Sequence, residues 1–357
     1  MTKEFLMGNE AIVKGALASG AKIMTGYPIT PTTEIMQYWA KACIKEPSLK
    51  FMQTEDEMAA GFAMIGAILS GEKAFTATAG PGNVLMQDAF SMAENMRLPT
   101  VAFINQRGGP STGTVIYSQQ EVNLTCFGGN GEGIRIVYST ANVQELYDYA
   151  IKAFNTAWKY RFPTFVLADG YQAKTQTQIE VYDPIEKQIE MISATPYLLK
   201  TPKTENEFVH MRNTLNRESE LYEILENHHR HFQEISPEIV EFDDYHTLDA
   251  EVVIVPHGIV AQAAKEAVDA LRNEGKKVGL FRPITLNPFP RQSALDILKN
   301  KKTVLIIESS LGQFEKLVKF HFYGIQTPIA TLQKPAMGIG TEEIIERINK
   351  IFSEGFK

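Results

Sequence analysis

The chain has 357 residues, of which 44% are hydrophobic, so it is long enough to form two domains with sizeable cores. The net charge is −7 and no basic block occurs, which argues against nucleic-acid binding because Lys and Arg must replace the phosphate counterions. With 10% aromatic and 22% charged residues, the composition also excludes a disordered chain.

The two cysteines, Cys43 and Cys126, lie far apart in sequence and form no CxxC pair. Neither a disulfide framework nor a zinc or iron–sulfur site can be built from them. The first residues lack the apolar run of a signal peptide, and no apolar stretch is long enough to span a bilayer. We therefore expect a cytoplasmic protein with no membrane segment and no metal site of its own.

In the first half of the chain, helical periodicity alternates with short apolar runs that end at Gly or Pro. The pattern predicts, in chain order, a helix at 8–20, a strand at 22–26, a helix at 34–44, a strand at 51–54, a helix at 57–69, a strand at 74–78, a helix at 84–96, a strand at 100–104, a helix at 145–160 and a strand at 164–168. This alternation indicates an α/β parallel sheet covered on both faces, in which ligands bind at the carboxyl ends of the strands.

Periodicity fades around 183–206, and a polar helix with one apolar stripe follows. The stripe consists of Phe208, Met211, Leu215, Tyr222, Leu225 and Phe232. A second α/β unit comes next, with strands predicted at 252–255, 278–281, 304–308 and 329–332 and helices starting near Val260, Gln292, Gln313 and Thr341. These changes predict a first domain at 1–195, a helical connector at 196–245 and a smaller last domain at 246–357.

Three turns that follow predicted strands could bind a ligand. At 26–34, Thr30 is expected to cap the next helix, with Pro31 at its first position, and the free backbone amides there could bind a carboxylate or phosphate. The same residues are equally well explained as a favourable helix start without a ligand. Glycines at 76–83 allow close approach of a ligand, but their spacing is that of neither a dinucleotide fingerprint nor a P-loop. Arg107, after the strand at 100–104, could clamp a carboxylate, although a loop arginine is more often a surface residue.

Glu57 begins the helix at 57–69 and leads into a face of Ala and Gly. Placement of a negative charge at a helix start is the default explanation. A carboxylate beside so many small residues could also be desolvated at a close interface, which would raise its pKa. No histidine precedes His210, so a Ser–His or Cys–His mechanism within the first domain is excluded.

The order and spacing of these motifs resemble the α subunit of a 2-oxoacid:ferredoxin oxidoreductase, over most of the chain. The matching segments are Tyr27-Pro28-Ile29-Thr30-Pro31, Glu57 with its small-residue helix, Gly80-Pro81-Gly82, Gln106-Arg107 with Ser111-Thr112-Gly113, the stretches at 279–286 and 288–290, and Glu308 with Leu311-Gly312-Gln313. Gly66, nine residues after Glu57, matches a related pattern of acetolactate-synthase-like enzymes and selects Glu57 over Glu55.

The resemblance implies a thiamine diphosphate enzyme divided between subunits. Such enzymes decarboxylate a 2-oxoacid oxidatively, pass the acyl group to coenzyme A and deliver electrons to ferredoxin. The implied fold is a pyrimidine-type thiamine diphosphate-binding domain followed by a smaller transketolase C-terminal-like α/β domain. By analogy, Glu57 is the catalytic residue at the thiamine pyrimidine, and Thr30 and Arg107 bind the substrate carboxylate. The implied cofactor contacts are Pro28, Ile29, Glu57, Gly80, Pro81 and Gly82.

The GDG motif followed by Asn, with which the family holds the diphosphate and Mg²⁺, is missing, and Ala168-Asp169-Gly170 lacks that context. The resemblance therefore implies that Mg²⁺ and a [4Fe–4S] cluster lie on partners, namely a β subunit and possible γ or δ subunits, with ferredoxin as acceptor. The runs at 30–34 and 108–113 favour 2-oxoglutarate as the substrate. Branched-chain and pyruvate types stay open, as do a self-contained thiamine enzyme and a non-catalytic scaffold subunit.

Overall fold

A computed structural model of the protein describes residues 1–194 and 212–356. The elements of the first range are β1 (Thr2–Met7), α1 (Gly8–Ala18), β2 (Ile23–Gly26), α2 (Thr33–Lys45), β3 (Lys50–Gln53), α3 (Glu57–Leu69), β4 (Ala74–Thr78), α4 (Pro81–Leu85), α5 (Gln87–Asn95), β5 (Val101–Gln106), α6 (Val122–Phe127), β6 (Ile136–Ser139), α7 (Val143–Tyr160), β7 (Thr164–Asp169), α8 (Gly170–Lys174) and β8 (Gln176–Val181). Those of the second range are α9 (Glu218–Ile239), β9 (Phe242–Tyr245), β10 (Val252–Pro256), α10 (Val260–Asn273), β11 (Val278–Pro283), β12 (Thr285–Asn287), α11 (Arg291–Leu298), β13 (Thr303–Glu308), α12 (Gln313–His321), β14 (Ile329–Gln333) and α13 (Thr341–Ser353).

The larger sheet has, within the described ranges, seven strands in the order β12-β6-β7-β5-β4-β2-β3. All neighbours in it are parallel except β12, which is antiparallel to β6. Strands β4, β5 and β7 are buried along their whole length, as expected for a parallel sheet covered on both faces. The predicted α/β fold is confirmed, and the loops after β2, β4 and β5 meet at one edge of the sheet.

The second sheet has the order β14-β13-β10-β11-β9, with only β9 antiparallel to its neighbour in the part of the chain described. The two units are joined by more than the chain itself. Strand β12 crosses back to pair with β6 of the first sheet. Arg282 of β11, whose side chain is 3% exposed, donates two hydrogen bonds to Glu145 of α7, at 2.9 and 2.5 Å. A bidentate, buried pair of this kind fixes orientation as well as distance.

Two features of the first unit differ from the sequence prediction. The helix predicted at 84–96 is two helices, α4 and α5, which meet at Met86. Strands β1 and β8 form an antiparallel pair that the sequence did not indicate. Most of their residues are exposed or half-buried, and neither strand is apolar along its length, since β1 begins with Thr2-Lys3-Glu4 and β8 with Gln176-Thr177-Gln178.

The predicted apolar stripe of the connector is also only partly correct. Phe208 and Met211 lie outside the described residues, and Tyr222 is 66% exposed on α9. The buried stripe is at the other end of α9, at Phe232, Ile235 and Ile239, where Phe232 packs edge-on against Phe162. None of the helices in the described ranges is long and apolar enough to cross a membrane.

Two helix-interior glycines should respond oppositely to replacement by alanine. A Cβ on Gly15 of α1 would lie 2.6 Å from both the Ala150 Cβ and the Tyr147 carbonyl oxygen of α7, whereas a Cβ on Gly66 of α3 would meet nothing within 4 Å. We expect Gly15→Ala to lower the free energy of unfolding by about 1–3 kcal/mol through overpacking. Gly66→Ala should leave it unchanged or raise it by up to about 1 kcal/mol. Urea unfolding followed by circular dichroism measures both, and equal effects would contradict the described α1–α7 contact.

Candidate active site

Glu57 is a buried carboxyl group at the start of α3. Asp56 caps this helix, its side chain accepting a hydrogen bond of 2.7 Å from the Ala59 N–H, and Glu57 takes the first helical position. The Glu57 side chain lies against the backbone of Gly82, where a Cβ would come within 2.7 Å of Oε1. The Glu57 carboxyl group can therefore occupy this position only because residue 82 is a glycine.

The environment of Glu57 favours its protonated form. Burial raises the pKa of Glu57 and the negative charge of Asp56 adds to this, whereas a hydrogen bond from the Glu57 backbone N–H and the positive charge of Arg107 oppose it. No other described residue donates a hydrogen bond to the carboxyl group. Glu57 is thus a desolvated acid whose hydrogen-bonding capacity is available to a ligand.

Arg107 follows β5 and is only 6% exposed. Its side chain crosses the backbone of Gly80, where a Cβ would lie 2.7 Å from Nε, and Gly80 has a φ of +54° that favours glycine. The Nη1 atom donates a hydrogen bond of 2.9 Å to the Thr30 carbonyl oxygen. The buried Nε has no partner within the described ranges, so the guanidinium keeps donors for an anion.

The loop after β2 places Thr30 beside Arg107, but not as a helix cap. The N-cap of α2 is Thr32, so the predicted capping by Thr30, with Pro31 at the first helical position, is wrong. A turn from Ile29 to Thr32, closed by a 2.8 Å hydrogen bond from the Thr32 N–H to the Ile29 carbonyl oxygen, takes up both residues before the helix begins. Thr30 is consequently exposed, as is Pro28 in the same loop.

A buried asparagine pair anchors this loop to the sheet. Asn9 of α1 donates a hydrogen bond of 2.8 Å to the Pro31 carbonyl oxygen, and Asn105 of β5 donates one of 2.8 Å to Asn9 Oδ1. Both side chains are fully buried. The loop that carries Thr30 is therefore fixed relative to β5, the strand that carries Arg107.

Glu121 is a site residue that the sequence analysis missed. Its Oε1 accepts hydrogen bonds from the Gly80 N–H at 2.9 Å and Asn83 Nδ2 at 3.1 Å, and its Oε2 accepts one from the Arg107 N–H at 3.0 Å. Burial raises the pKa of Glu121, and these donors oppose that shift because they stabilise the carboxylate. No local pattern identifies Glu121, since its backbone partners are 41 and 14 residues away in sequence.

A cleft of about 440 Å³ opens beside Arg107, between α4 and the loop after β5. Its apolar lining consists largely of Pro81, Val84, Leu85, Pro110 and Leu124. Arg107 and Glu121 are the charged residues that line it. A larger cavity of about 780 Å³ lies between α7 and α9, but its lysines, Lys152 and Lys159, are paired with Glu241 and Glu238. Of the two, the smaller cleft is therefore the better candidate for binding an anion, because it contains Arg107 and the lysines of the larger cavity are already in ion pairs.

Two acidic residues from the sequence motifs have structural roles. Asp169 caps α8, accepting a 2.9 Å hydrogen bond from the Gln172 N–H, and burial raises its pKa to about 7. Glu308 accepts hydrogen bonds from the Phe314 and Glu315 N–H groups, at 2.9 and 3.1 Å, at the start of α12. In the described ranges no group of three or more His, Cys, Asp or Glu side chains could hold a metal ion.

The fold is a covered parallel α/β sheet with a buried acid and a buried cation at one edge, and two family models match this chain. Residues 14–243 match the family model described as pyruvate flavodoxin/ferredoxin oxidoreductase, thiamine diphosphate-binding. Residues 250–342 match the model of pyruvate:ferredoxin oxidoreductase core domain II. The chain therefore belongs to the 2-oxoacid:ferredoxin oxidoreductase family, as an α-type subunit. The resemblance inferred from the sequence is confirmed.

Named relatives narrow the family. The chain is 37% identical to 2-oxoglutarate synthase subunit KorA of Methanocaldococcus jannaschii, over 88% of this chain and 90% of that protein. It is 33% identical to ketoisovalerate oxidoreductase subunit VorB of Methanothermobacter marburgensis, over 89% of this chain and 90% of that protein. The sequence is thus similar to subunits of two enzymes that are named after different 2-oxoacids.

Solved structures support the fold. A 2-oxoglutarate:ferredoxin oxidoreductase from Magnetococcus marinus, solved with 2-oxoglutarate, coenzyme A and succinyl-CoA bound, matches with a TM-score of 0.86 and 25% identity. The match covers 98% of this chain but 65% of that one, so the chain spans about two thirds of it. A split-gene transketolase matches with a TM-score of 0.59 and 14% identity, over 97% of this chain and 96% of that one, and shows the transketolase-like fold.

Replacement of Gly82 by alanine should displace Glu57. The added Cβ would lie 2.2 Å from Thr78 Oγ1 and 2.7 Å from Glu57 Oε1, and Thr78 is fully buried on β4, so the carboxyl group must move. We expect turnover of the assembled enzyme to fall by at least about 10-fold, because a small displacement of a positioned catalytic group is costly. Gly66→Ala, in the same helix as Glu57, is the matched control, since a Cβ there meets nothing within 4 Å. Equal activities of the two variants would show that Glu57 does not depend on Gly82.

Proposed function

We propose that this chain supplies the pyrimidine-binding and carboxylate-binding half of the active site in a 2-oxoacid:ferredoxin oxidoreductase that makes acyl-CoA, with 2-oxoglutarate as the favoured substrate. The observation that carries the proposal is the juxtaposition of a desolvated acid, Glu57, with the buried cation Arg107. These two side chains lie against Gly82, in the first turn of α4, and Gly80, the residue that precedes this helix. Acid and anion-binding group are thus held side by side, as the chemistry of a 2-oxoacid requires.

The residues present fit the pyrimidine end of thiamine diphosphate. When bound, this cofactor supplies the nucleophilic carbon that attacks the 2-oxo group. Glu57 would hold a proton at its carboxyl group, facing a ring nitrogen of the pyrimidine, and a pKa raised by burial suits that role because it favours the protonated acid. The proposed cofactor contacts beside Glu57 are Pro28, Ile29, Gly80, Pro81 and Gly82.

Arg107 and Thr30 would orient the substrate. The guanidinium has a buried Nε without a partner in the described ranges, and the Thr30 side chain is exposed beside it. Hydrogen bonds from a guanidinium and a hydroxyl to the 2-oxoacid carboxylate would fix the direction in which the carbonyl carbon points. Orientation of this kind lowers the barrier by reducing the entropy that must be lost in the transition state.

A partner β subunit would complete the site. We assign to it the diphosphate half-site, Mg²⁺ and a [4Fe–4S] cluster, with possible γ or δ subunits, coenzyme A as co-substrate and ferredoxin as acceptor. Exposed apolar side chains near Glu57 and the cleft support a covering partner, namely Met52, Met58, Val84 and Leu85, which are 42–57% exposed. The acidic charge of −7 agrees with the absence of nucleic acid among the proposed partners, and we place the enzyme in the cytoplasm.

A branched-chain 2-oxoacid is the second candidate substrate. The cleft beside Arg107 has a largely apolar lining, and Arg107 is its cation. An aliphatic side chain would fit such a lining, whereas the second carboxylate of 2-oxoglutarate needs a further polar partner, from this chain or from the β subunit. Similarity to a ketoisovalerate oxidoreductase subunit also supports this candidate.

Anaerobic purification of the tagged chain from its own cells tests the proposal. We expect a co-purifying subunit with cluster-type cysteines, together with bound thiamine diphosphate and iron. Reduction of a viologen dye with coenzyme A then compares 2-oxoglutarate, 3-methyl-2-oxobutanoate and pyruvate as substrates. A lone chain with thiamine would indicate a self-contained enzyme, and a lone chain without it a scaffold subunit.

Glu57→Gln in the assembled enzyme should lower kcat by at least about 10²-fold, because an amide cannot give or take the proton that the carboxyl group handles. Glu55→Gln, at an exposed position two residues earlier, is the matched control and should keep full activity. Turnover with the viologen dye measures both variants at saturating thiamine diphosphate. Unchanged turnover of Glu57→Gln would remove Glu57 from the reaction.

A further inference from the structure

We infer that Glu121 is a positioning residue that aims the Arg107 guanidinium at the substrate carboxylate. The inference rests on the proposed role of Arg107 and goes beyond it, because Glu121 itself need not touch the substrate. Glu121 is 4% exposed and precedes α6, in a segment that lies between the two units of the protein.

The two oxygens of Glu121 join the two loops that define the path of the Arg107 side chain. Oε2 accepts from the Arg107 N–H, at the base of that side chain, at 3.0 Å. Oε1 accepts from the N–H of Gly80, the residue over which the side chain passes, at 2.9 Å. One carboxylate therefore fixes both the origin of the side chain and the surface on which it lies.

The far end of Arg107 is held independently of Glu121. Its Nη1 donates to the Thr30 carbonyl oxygen at 2.9 Å, while the buried Nε has no partner in the part of the chain described. The direction of the free donors is consequently set at two points, the Thr30 carbonyl oxygen and the Glu121 carboxylate. Loss of the second point would let the guanidinium shift while the Arg107 charge stayed in the site.

Glu121 is an acceptor here rather than a proton donor. Three N–H donors point at its two oxygens, from Gly80, Asn83 and Arg107. A carboxylate can accept about four hydrogen bonds, and these donors take up most of that capacity. The geometry therefore fits a structural carboxylate that holds the loops after β4 and β5 together.

The last unit of the chain holds the Glu121 segment in place. Gln119 Nε2 donates to the His257 carbonyl oxygen at 2.8 Å, and the Gln119 N–H donates to the Ser309 carbonyl oxygen at 3.0 Å. Gln313, at the start of α12, donates to the Gln120 carbonyl oxygen at 2.6 Å. The second domain thus contributes to substrate binding through Glu121, although the carboxylate-binding residues belong to the first domain.

A double-mutant cycle in the assembled enzyme tests the inference. Glu121→Gln has one oxygen and one NH₂ group, so it cannot accept from both loops and must turn an N–H donor toward one of them. KM and kcat for the best 2-oxoacid are measured for the wild type, Glu121→Gln, Arg107→Ala and the double variant. Thermal midpoint and bound thiamine diphosphate report whether each variant folds and assembles.

We expect Glu121→Gln to raise KM about 10-fold, with a smaller change in kcat, because the aim of a substrate-binding group is lost. In the Arg107→Ala background the same substitution should change KM by less than about 2-fold, since residues that act through one another are not additive. If Glu121→Gln does not assemble, Gln313→Ala replaces it in the cycle, with about a 3-fold rise in KM expected only when Arg107 is present.

Equal effects of Glu121→Gln in both backgrounds, or no effect on KM, would overturn the positioning role while leaving the role of Arg107 intact. An Arg107→Ala variant with unchanged KM would instead overturn the proposed role of Arg107 and, with it, this inference. The two failures are therefore distinguishable in a single set of measurements.

Discussion

The active site depends on two contacts between a charged side chain and bare glycine backbone. Glu57 lies against Gly82, and Arg107 lies across Gly80. A Cβ on Gly82 would lie 2.7 Å from Glu57 Oε1, and a Cβ on Gly80 would lie 2.7 Å from Arg107 Nε. Because the two glycines are separated by Pro81 alone, the turn from β4 into α4 sets the spacing between the acid and the cation. The remaining features serve this arrangement. Asp56 starts α3 so that Glu57 is its first residue, the Asn9–Asn105 pair holds the loop of Thr30, and Glu121 joins the loops after β4 and β5.

In the proposed function this chain supplies one half of a thiamine site, with Glu57 as the acid for the pyrimidine and Arg107 as the cation for a carboxylate. Within the described ranges no group of three or more His, Cys, Asp or Glu side chains could hold a metal ion. Ala168-Asp169-Gly170, the near match to the diphosphate motif, has a structural role. Asp169 caps α8, and Gly170 packs so closely on Ile116 that a Cβ would lie 1.2 Å from the Ile116 carbonyl oxygen. Exposed apolar residues around the acid, such as Met58 and Val84, give a partner a surface to cover. If the site is divided between chains as proposed, activity depends on assembly.

Much of the fold could be predicted from sequence because the strands of a covered parallel sheet are continuous apolar runs between helical repeats. Glu57, Gly80, Gly82 and Arg107 could be singled out because each follows such a strand. What failed depends on partners distant in sequence: β12 pairs with β6, β1 with β8, and Glu121 with Gly80. The capping error has a different cause. Thr30 and Thr32 are hydroxyl residues on either side of Pro31, and composition alone cannot tell which of them ends the turn.

The most direct test of a divided site is the affinity for thiamine diphosphate, measured by calorimetry in the presence of Mg²⁺. Three samples are titrated: the isolated chain, the co-purified partner subunit and the reconstituted complex. We expect binding by the complex at one site per αβ pair and at least about 10²-fold weaker binding by the isolated chain, which would contact the pyrimidine alone. Binding by the isolated chain as tight as that of the complex would contradict the account, because the diphosphate and its metal would then be held by residues of this chain.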